Sequence, residues 1–234
     1  MAQQQQNFQP RKKTILNDYR MPLPASASPM EGARNPAQFM WELKNNGKIV
    51  FKVNDGVYKQ GAKNTHKEVE LDYHERGMIF EAIRDAISNK DFVNKQIPIR
   101  KKDFVFSNGR SQMSDQPILK ATMTIRRDDQ GIIHWGYSKG DYKVEVSFRG
   151  PFDTAVYYKD EQGNRREDFG ALSRYSAAAY VRFHEPILNR IEEEHWTPPK
   201  QKEGSGGGNG GGNNYGGGGS QPSGDDFDFD DVDF

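Results

Sequence analysis

The sequence predicts a mostly β domain, an OB-fold-like antiparallel β-barrel with one or two helices, flanked by a disordered N-terminal arm and a disordered C-terminal tail. Three observations lead to this prediction. Between residues 37 and 198 the apolar side chains recur mainly with a period of two, as in half-buried strands. Helical spacing occurs only after the third strand and at the end of this region. Twelve of the 24 glycines lie between Gly204 and Gly224, where a packed core cannot form.

The first half of the domain is predicted to contain three strands and a helix. The strands are residues 39–44, 48–53 and 67–71. Asn45-Asn46-Gly47 is a turn sequence, so the first two strands should form a hairpin. Residues 76–88 change to helical spacing, with Ile79, Ile83 and Ile87 on one stripe.

The second half is predicted to contain four strands and a closing helix. The strands are residues 96–106, 118–127, 132–138 and 142–149, separated by polar turns. A helix at residues 171–194 follows, and Pro186 should kink it or start a second helix. This order of elements fits an OB-like barrel, although other small α+β sheets share it.

Composition divides the chain into four segments. Residues 1–36 are predicted to be a flexible basic arm, because their prolines break regular elements. Residues 37–198 form the folded domain, residues 199–224 a glycine-rich disordered linker, and residues 225–234 an acidic aromatic tip. The run Arg11-Lys12-Lys13 has two interpretations, since it either keeps the arm soluble or contacts a DNA backbone or the acidic tip of a neighbouring molecule.

The composition also excludes several classes of protein. The chain has no cysteine, which excludes disulfides, thiolate metal sites and cysteine nucleophiles. We find neither an apolar run long enough to cross a bilayer nor a secretory signal, so we expect a cytoplasmic protein with no membrane partner. The five histidines lack metal-ligand spacing, and no catalytic motif follows a strand. We therefore expect no enzymatic activity, no cofactor and no metal.

Charge is distributed unevenly along the chain. The formal net charge is zero, but the first 203 residues hold all 33 basic residues and 27 of the 33 acidic ones, a net charge of +6. The remaining residues carry six aspartates and no lysine or arginine. A basic body with an acidic tail indicates a polyanionic partner.

Basic and aromatic residues interleave on the predicted strands, which is typical of single-strand binding by a basic groove and stacking rings. One example is Arg100-Lys101-Lys102, just ahead of Phe104 and Phe106. For each ring the competing interpretation is a core residue, and for each cation a solvated sheet face. The predicted groove residues are Lys48, Lys52, Arg100, Lys101, Lys102, Arg126, Arg127 and Lys139. The predicted stacking residues are Trp41, Tyr58, Trp135 and Tyr137.

The chain ends in a tip that interleaves acidic and apolar side chains. An acidic solubilising tail needs no apolar residues, so this composition indicates a protein-binding segment. A C-terminal Phe can enter a pocket while the aspartates meet a basic rim. The tip residues are Asp225, Asp226, Phe227, Asp228, Phe229, Asp230, Asp231, Val232, Asp233 and Phe234.

This tip, on its glycine-rich linker, resembles the C-terminal tail of bacterial and phage single-stranded DNA-binding proteins. The bacterial tip reads Asp-Phe-Asp-Asp-Asp-Ile-Pro-Phe. Residues 229–234 match its acids, its branched residue and its terminal Phe, and Asp233 replaces the penultimate proline. The domain length and long closing helix resemble a phage-encoded member, and Arg11-Lys12-Lys13-Thr14 is similar to the basic arm that phage versions use for cooperative binding.

The resemblance implies an OB-fold protein that coats single-stranded DNA without strong sequence preference during replication, recombination and repair. It implies that the tip recruits a polymerase, a helicase or primase, or a nuclease, and that the tail competes with DNA for the groove. Two alternatives stay open, an RNA-binding or annealing protein and a protein-only adaptor. Homo-oligomerisation or cooperative contact between copies is also left open.

Overall fold

A computed structural model of the chain describes residues 15–17, 23–44, 47–57, 64–107, 109–150 and 154–195. The chain divides into two units, Met1–Trp196 and Thr197–Phe234, and the described residues all belong to the first. The linker predicted at 199–224 and the tip predicted at 225–234 lie outside the described residues.

The described fold is mostly β, with one eight-stranded antiparallel sheet, two small hairpins and two helices. The strands of the sheet are β1 (Ala25–Pro29), β2 (Pro36–Leu43), β3 (Ile49–Asn54), β4 (Glu68–Glu70), β5 (Asn94–Lys101), β8 (Ile118–Arg127), β9 (Ile133–Lys139) and β10 (Tyr142–Ser147). The hairpins are β6 (Phe104–Ser107) with β7 (Arg110–Met113), and β11 (Tyr157–Lys159) with β12 (Arg165–Glu167). The helices are α1 (Tyr73–Ser88) and α2 (Phe169–His195).

The eight strands curl into an open half-barrel. Their order is β4-β3-β2-β1-β10-β9-β8-β5, so β2 and β9 are three places apart. In a flat sheet that separation is about 14 Å. Yet the ring of Phe39 on β2 lies only 5.3 Å from that of Trp135 on β9. The two halves of the sheet therefore face each other across a shared core, as expected for an OB-like fold.

The curl also brings the end of β9 towards the edge strand β4. The Tyr137 hydroxyl donates a hydrogen bond of 3.0 Å to the carbonyl of His66, just before β4. The Lys139 ammonium donates one of 2.9 Å to the carbonyl of Glu68 within it. Beside these contacts the curled sheet does not close completely, and a cleft remains.

The helices cover the core. Helix α1 begins at a capping box, in which the Glu75 amide donates to the Asp72 carboxylate and the Asp72 amide donates to the Glu75 carboxylate. Its buried stripe includes Ile79 and Ile83. Helix α2 contributes Tyr180, whose hydroxyl accepts a hydrogen bond of 2.9 Å from the buried indole N–H of Trp41.

Most of the predicted strands and both helices are confirmed. The β2–β3 hairpin pairs Trp41 with Phe51, and Gly47 in its turn has φ of +79°, a conformation that favours glycine. Strand β8 has the bounds predicted for it. Helix α1 begins one turn before the predicted start, because the capping residue is Asp72.

The prediction of one continuous strand at residues 96–106 is wrong. Strand β5 ends at Lys101, and Phe104 instead begins the separate β6–β7 hairpin. The apolar alternation continues across the break, so the pattern alone does not reveal it. Gly109, just before β7, has φ of +73°, and the sequence Asn108-Gly109 favours a hairpin turn.

The prediction of a flexible arm over residues 1–36 is wrong for its later part. Residues 25–29 form β1, which joins the two halves of the sheet, and Leu16 is buried in the core. The strand tolerates its proline because Pro29 is its last residue and pairs with Pro36 at the end of the ladder, where a missing N–H costs least. Residues 1–14 and 18–22 lie outside the described residues.

Of the two effects predicted for Pro186, a kink or a second helix, the second helix is wrong, since α2 continues through this residue. Pro186 is exposed. A carbonyl that has no helical donor on the solvent side of a helix can be hydrated instead, which allows the helix to continue.

Candidate functional site

Three of the four predicted stacking residues are core residues, so their assignment as base-stacking residues is wrong. Trp41 and Trp135 are 0% exposed and Tyr137 is 1% exposed. Burial raises the pKa of Tyr137 above its ordinary value. A base cannot stack on a ring without an open face. The fourth residue, Tyr58, lies outside the described residues.

The gap in the curled sheet forms a cleft lined mainly by lysines. Its volume is about 460 Å³. We call it the lysine cleft, and its lysines are Lys44, Lys48, Lys101, Lys102, Lys120 and Lys139. Four of these, all except Lys44 and Lys120, were predicted as groove residues. The carboxylates that line the cleft are Glu68, Glu70 and Asp103, so its lining carries a net charge of +3.

The carboxylates hold several of the lysines in place. Lys48 pairs with Glu70 at 2.8 Å, and Lys44 pairs with Glu68 at 3.1 Å. These pairs are partly exposed, so each contributes little stability and can exchange partners. A phosphate entering the cleft would compete with Glu68 for Lys44 and with Glu70 for Lys48.

The surroundings of Lys139 disfavour its charged form. Burial, and then the nearby charge of Lys120, lower the pKa of Lys139. Lys139 donates to a neutral carbonyl, that of Glu68. An anion bound beside it would stabilise its charged form, because opposite charges favour ionisation.

The remaining predicted groove residues do not line the lysine cleft. Lys52 pairs with Glu42 at 2.8 Å on the outer face of β2 and β3. Arg126 pairs with Glu145 at 2.9 Å. Arg100 is exposed and immediately precedes the cleft residue Lys101 in the sequence.

Arg127 has a structural role. It donates hydrogen bonds to the carbonyls of Asn89, at 2.8 Å, and Ala86, at 3.4 Å, at the end of α1. A guanidinium at a helix C-terminus satisfies carbonyls that have no helical donor. This contact ties the end of β8 to α1.

The β6–β7 hairpin, which we call the aromatic hairpin, carries the most exposed rings of the described residues. Phe104 is 65% exposed and Phe106 is 80% exposed. They lie two apart on one strand and therefore on one face, which they share with Met113, the cross-strand partner of Phe104. A contiguous exposed apolar patch of this kind marks a binding surface.

The aromatic hairpin is fixed to the rim of the lysine cleft. At its base the Ser114 amide donates to the carbonyl of Asp103 at 2.8 Å, and the Asp103 amide donates to the Ser114 hydroxyl at 3.2 Å. The Asp103 carboxylate accepts a hydrogen bond from Lys120 inside the cleft, which lowers the Asp103 pKa. The rings and the lysines are thus held together through one aspartate.

Four residues of this arrangement were not among the predicted site residues, namely Lys44, Lys120, Phe104 and Phe106. Lys44 directly follows β2 and Lys120 lies on β8, and these two parts of the sheet meet only when the sheet curls, so the spacing of the two lysines in the sequence gives no signal. The two phenylalanines did have a signal. The sequence Phe104-Val105-Phe106 lies between a basic run and an Asn-Gly turn, which is typical of a short hairpin outside the main sheet.

The described histidines have separate surroundings. His134 contacts Asp128 at 2.9 Å and Glu145 at 3.3 Å on the sheet surface. His184 is buried, and burial lowers its pKa to about 4. Among the residues that the structure describes, no group of three or more histidine, aspartate or glutamate side chains is arranged to hold a metal ion.

No described helix is long and apolar enough to cross a bilayer. Comparison of the chain with protein-family models, with curated proteins and with solved structures gives no match. The resemblance of the C-terminal residues to single-stranded DNA-binding proteins therefore stays a hypothesis.

Proposed function

We propose that this chain binds single-stranded DNA without strong sequence preference, through the lysine cleft and the aromatic hairpin together. The observation that carries the proposal is the attachment of two exposed phenylalanines to the rim of a six-lysine cleft through Asp103. Single-strand binding without sequence preference uses this combination of cations for phosphates and rings for bases.

The spacing of the two rings favours a single strand over a duplex. Phe104 and Phe106 are two residues apart on a strand, which separates their attachment points by about 7 Å. Stacked bases in a duplex rise about 3.4 Å. Rings at twice that spacing suit two successive bases that have been drawn apart, as in an extended single strand. Duplex bases also keep their faces covered by their neighbours.

The choice of DNA rests on the resemblance of the C-terminal tip, residues 225–234, to the tails of single-stranded DNA-binding proteins. We propose that the tip recruits a replication or recombination protein, such as a polymerase, a helicase or primase, or a nuclease. In this proposal the chain acts as a phage-type coating protein in the cytoplasm of the host cell, and not as an enzyme. Removal of the tip should abolish partner capture while oligonucleotide affinity is at least retained.

The proposal is tested by fluorescence anisotropy of a labelled dT15 oligonucleotide. Tryptophan emission is less suitable, because both described tryptophans are buried. We expect the double variant Phe104→Ala, Phe106→Ala to bind dT15 at least about tenfold more weakly, since each base–aromatic stack is worth ~1–3 kcal/mol. The matched control is Tyr175→Ala, which removes an exposed ring from α2 and should leave the affinity unchanged.

Three outcomes of this experiment would change the proposal. If the double variant binds as tightly as the unaltered protein, the hairpin is not part of the site. If a ribonucleotide oligomer of the same length competes better than dT15, the ligand is RNA. If no oligonucleotide binds even at low salt, the protein-only adaptor becomes the better interpretation.

One observation favours the alternative that the chain is a protein-only adaptor. Met113, the cross-strand partner of Phe104, is also exposed, and a patch of Phe and Met is also suited to a protein partner. The lysines beside it favour the nucleic acid, because a protein interface core is depleted of charge.

A further inference from the structure

The β11–β12 hairpin, which we call the second hairpin, lies on the surface of the domain with both of its faces exposed. Every residue of its two strands is exposed. At its base the Asp168 amide donates a hydrogen bond of 2.7 Å to the carbonyl of Val156. A two-stranded hairpin with neither face covered gains little stability from burial. Its aromatic side chains are therefore better explained by a ligand than by the fold.

One face of the second hairpin holds a tyrosine and an arginine in stacked contact. Tyr157 pairs with Glu167 across the hairpin and Lys159 pairs with Arg165, so these four side chains share a face. The central guanidinium carbon of Arg165 lies 3.6 Å from the centre of the Tyr157 ring. This is a van der Waals distance, so the guanidinium lies on the ring. The stack is thus already formed before any ligand binds.

The cations on this face are available to a ligand. Neither Lys159 nor Arg165 forms an ion pair with any described residue. Arg165 is exposed, so the side of its guanidinium that faces away from Tyr157 is open. With Glu167 included, the face has a net charge of only +1. Stacking, and not long-range attraction, must therefore supply most of the binding energy at this face.

The opposite face of the second hairpin has the same residue types in a different arrangement. It carries Tyr158 and Arg166, which pair with each other across the hairpin. Arg166 donates a hydrogen bond of 3.1 Å to the Asp160 carboxylate, which compensates its charge. The two faces therefore differ in whether their arginine is available.

The second hairpin begins at a distance from the lysine cleft. Helix α2 starts soon after it, and a Cβ at Gly170 would lie 2.5 Å from the carbonyl oxygen of Gln130, so α2 starts against the β8–β9 turn. The cleft residues Lys120 and Lys139 lie towards the other end of these two strands. From Lys120 to Arg127, the last residue of β8, is about 24 Å along the strand. A fifteen-nucleotide strand exceeds this distance, since it is about 50 Å long at ~3.4 Å for each nucleotide.

We propose that the second hairpin is a further contact for a single strand, in which a base stacks on the open side of the Arg165 guanidinium and a phosphate meets Lys159. This inference rests on the proposed function for the identity of the ligand, and it adds a contact separate from the lysine cleft and the aromatic hairpin. Bases stack on guanidinium planes as well as on aromatic rings. The unpaired lysine favours a nucleic acid over a protein, because protein interfaces are depleted of lysine.

The test measures the binding of labelled dT15 to the full chain by fluorescence anisotropy at low salt. We expect Tyr157→Ala with Arg165→Ala to weaken binding at least about fivefold, the lower limit for the loss of one base stack. Arg165→Lys should weaken binding by a factor similar to that of Arg165→Ala, because it keeps the charge and removes the plane that stacks.

The matched control lies on the opposite face of the same hairpin. Tyr158→Ala with Arg166→Ala removes the same residue types and the same charge, and it should leave dT15 binding nearly unchanged. All four residues are exposed, so both double variants should melt as the unaltered protein does. Melting temperatures establish this before binding is compared.

The outcomes separate this inference from the proposed function. Unchanged binding by the Tyr157, Arg165 variant would overturn the further contact, and so would equal weakening by the control, while the cleft and the aromatic hairpin would be unaffected. If Phe104→Ala with Phe106→Ala had no effect and the Tyr157, Arg165 variant weakened binding, the further contact would stand and the proposed site would fail. If the unaltered protein bound no oligonucleotide, both would be overturned, and a protein partner would better explain the second hairpin.

Discussion

The interior of the curled sheet and the aromatic hairpin both contain strands with an aromatic ring at every second position, but the rings are buried in the first and exposed in the second. On β9, Trp135 and Tyr137 alternate with small or polar residues and are buried. On β6, Phe104 and Phe106 also occupy every second position, with Val105 between them, and are exposed. The difference lies in what covers each face. Helix α2 supplies Tyr180 against Trp135, with ring centres 5.9 Å apart, whereas Phe104 and Phe106 remain 65% and 80% exposed.

The comparison shows that alternation identifies a strand without identifying which rings are available to a ligand. A ring on a long central strand gains its burial from partners distant in the sequence. A ring on a two-stranded hairpin has too few neighbours to be covered. Exposed rings on such a hairpin are therefore better evidence of binding than rings on the main sheet.

The largest expected effect is on the interior. Trp135→Ala should lower the free energy of unfolding by about 3–5 kcal/mol, because it removes a fully buried ring and leaves a cavity. Urea denaturation followed by circular dichroism measures this change. A decrease below about 1 kcal/mol would mean that Trp135 is not a central core residue.

A second effect on the interior is a dependence of stability on pH. Burial lowers the pKa of His184 to about 4, against 6.5 in the unfolded chain. The folded state therefore disfavours protonation, and stability is fully present above pH 6.5 and falls as pH decreases towards 4. Between pH 7 and pH 4.5 we expect a decrease of about 2–3 kcal/mol.

The control for this prediction is His184→Leu. Whatever its stability at pH 7, this variant should be destabilised much less between pH 7 and pH 4.5 than the unaltered protein is. Urea denaturation at the two pH values gives both differences. Equal decreases in the two proteins would show that another group causes the pH dependence.

A smaller effect is expected at the lysine cleft. Lys48→Ala together with Lys102→Ala removes two cations at its rim and should weaken dT15 binding several-fold at low salt. For a single strand, the slope of log affinity against log salt becomes shallower by about 0.7 for each phosphate that the protein no longer neutralises. A salt titration by anisotropy should therefore give a slope shallower by about 1.4. An unchanged slope would exclude these lysines from phosphate binding.

The smallest expected effect is on the stability of the hairpin variant. Phe104→Ala with Phe106→Ala should change the free energy of unfolding by no more than about 0.5 kcal/mol, as for other exposed substitutions. Urea denaturation measures it beside Trp135→Ala. A destabilisation comparable to that of Trp135→Ala would mean that the hairpin rings pack against the domain, contrary to their exposure.

The sequence predicted the β2–β3 hairpin, strand β8 and both helices, because local alternation, turn residues and helical spacing determine these elements. It did not predict β1, since Pro29 and Pro36 suggested an irregular arm, while the strand forms because two neighbouring strands pair with it. Four lysines of the cleft were predicted, Lys101 and Lys102 from a local basic run and Lys48 and Lys139 from their positions near aromatic residues of predicted strands. Lys120 was not, because only the curl of the sheet brings the β8–β9 hairpin, and Lys120 with it, to the cleft beside β4.

The most direct test of the central claim is ultraviolet cross-linking of the full chain to oligo(dT), followed by tryptic digestion and mass spectrometry. The claim is that the exposed hairpin rings, and not the core rings, stack on the bases. Trypsin should release residues 103–110, which contain Phe104 and Phe106, separately from residues 128–139, which contain Trp135 and Tyr137. We expect the oligonucleotide adduct on residues 103–110. An adduct confined to residues 128–139 would contradict the claim, because the bases would then have to reach the interior of the sheet.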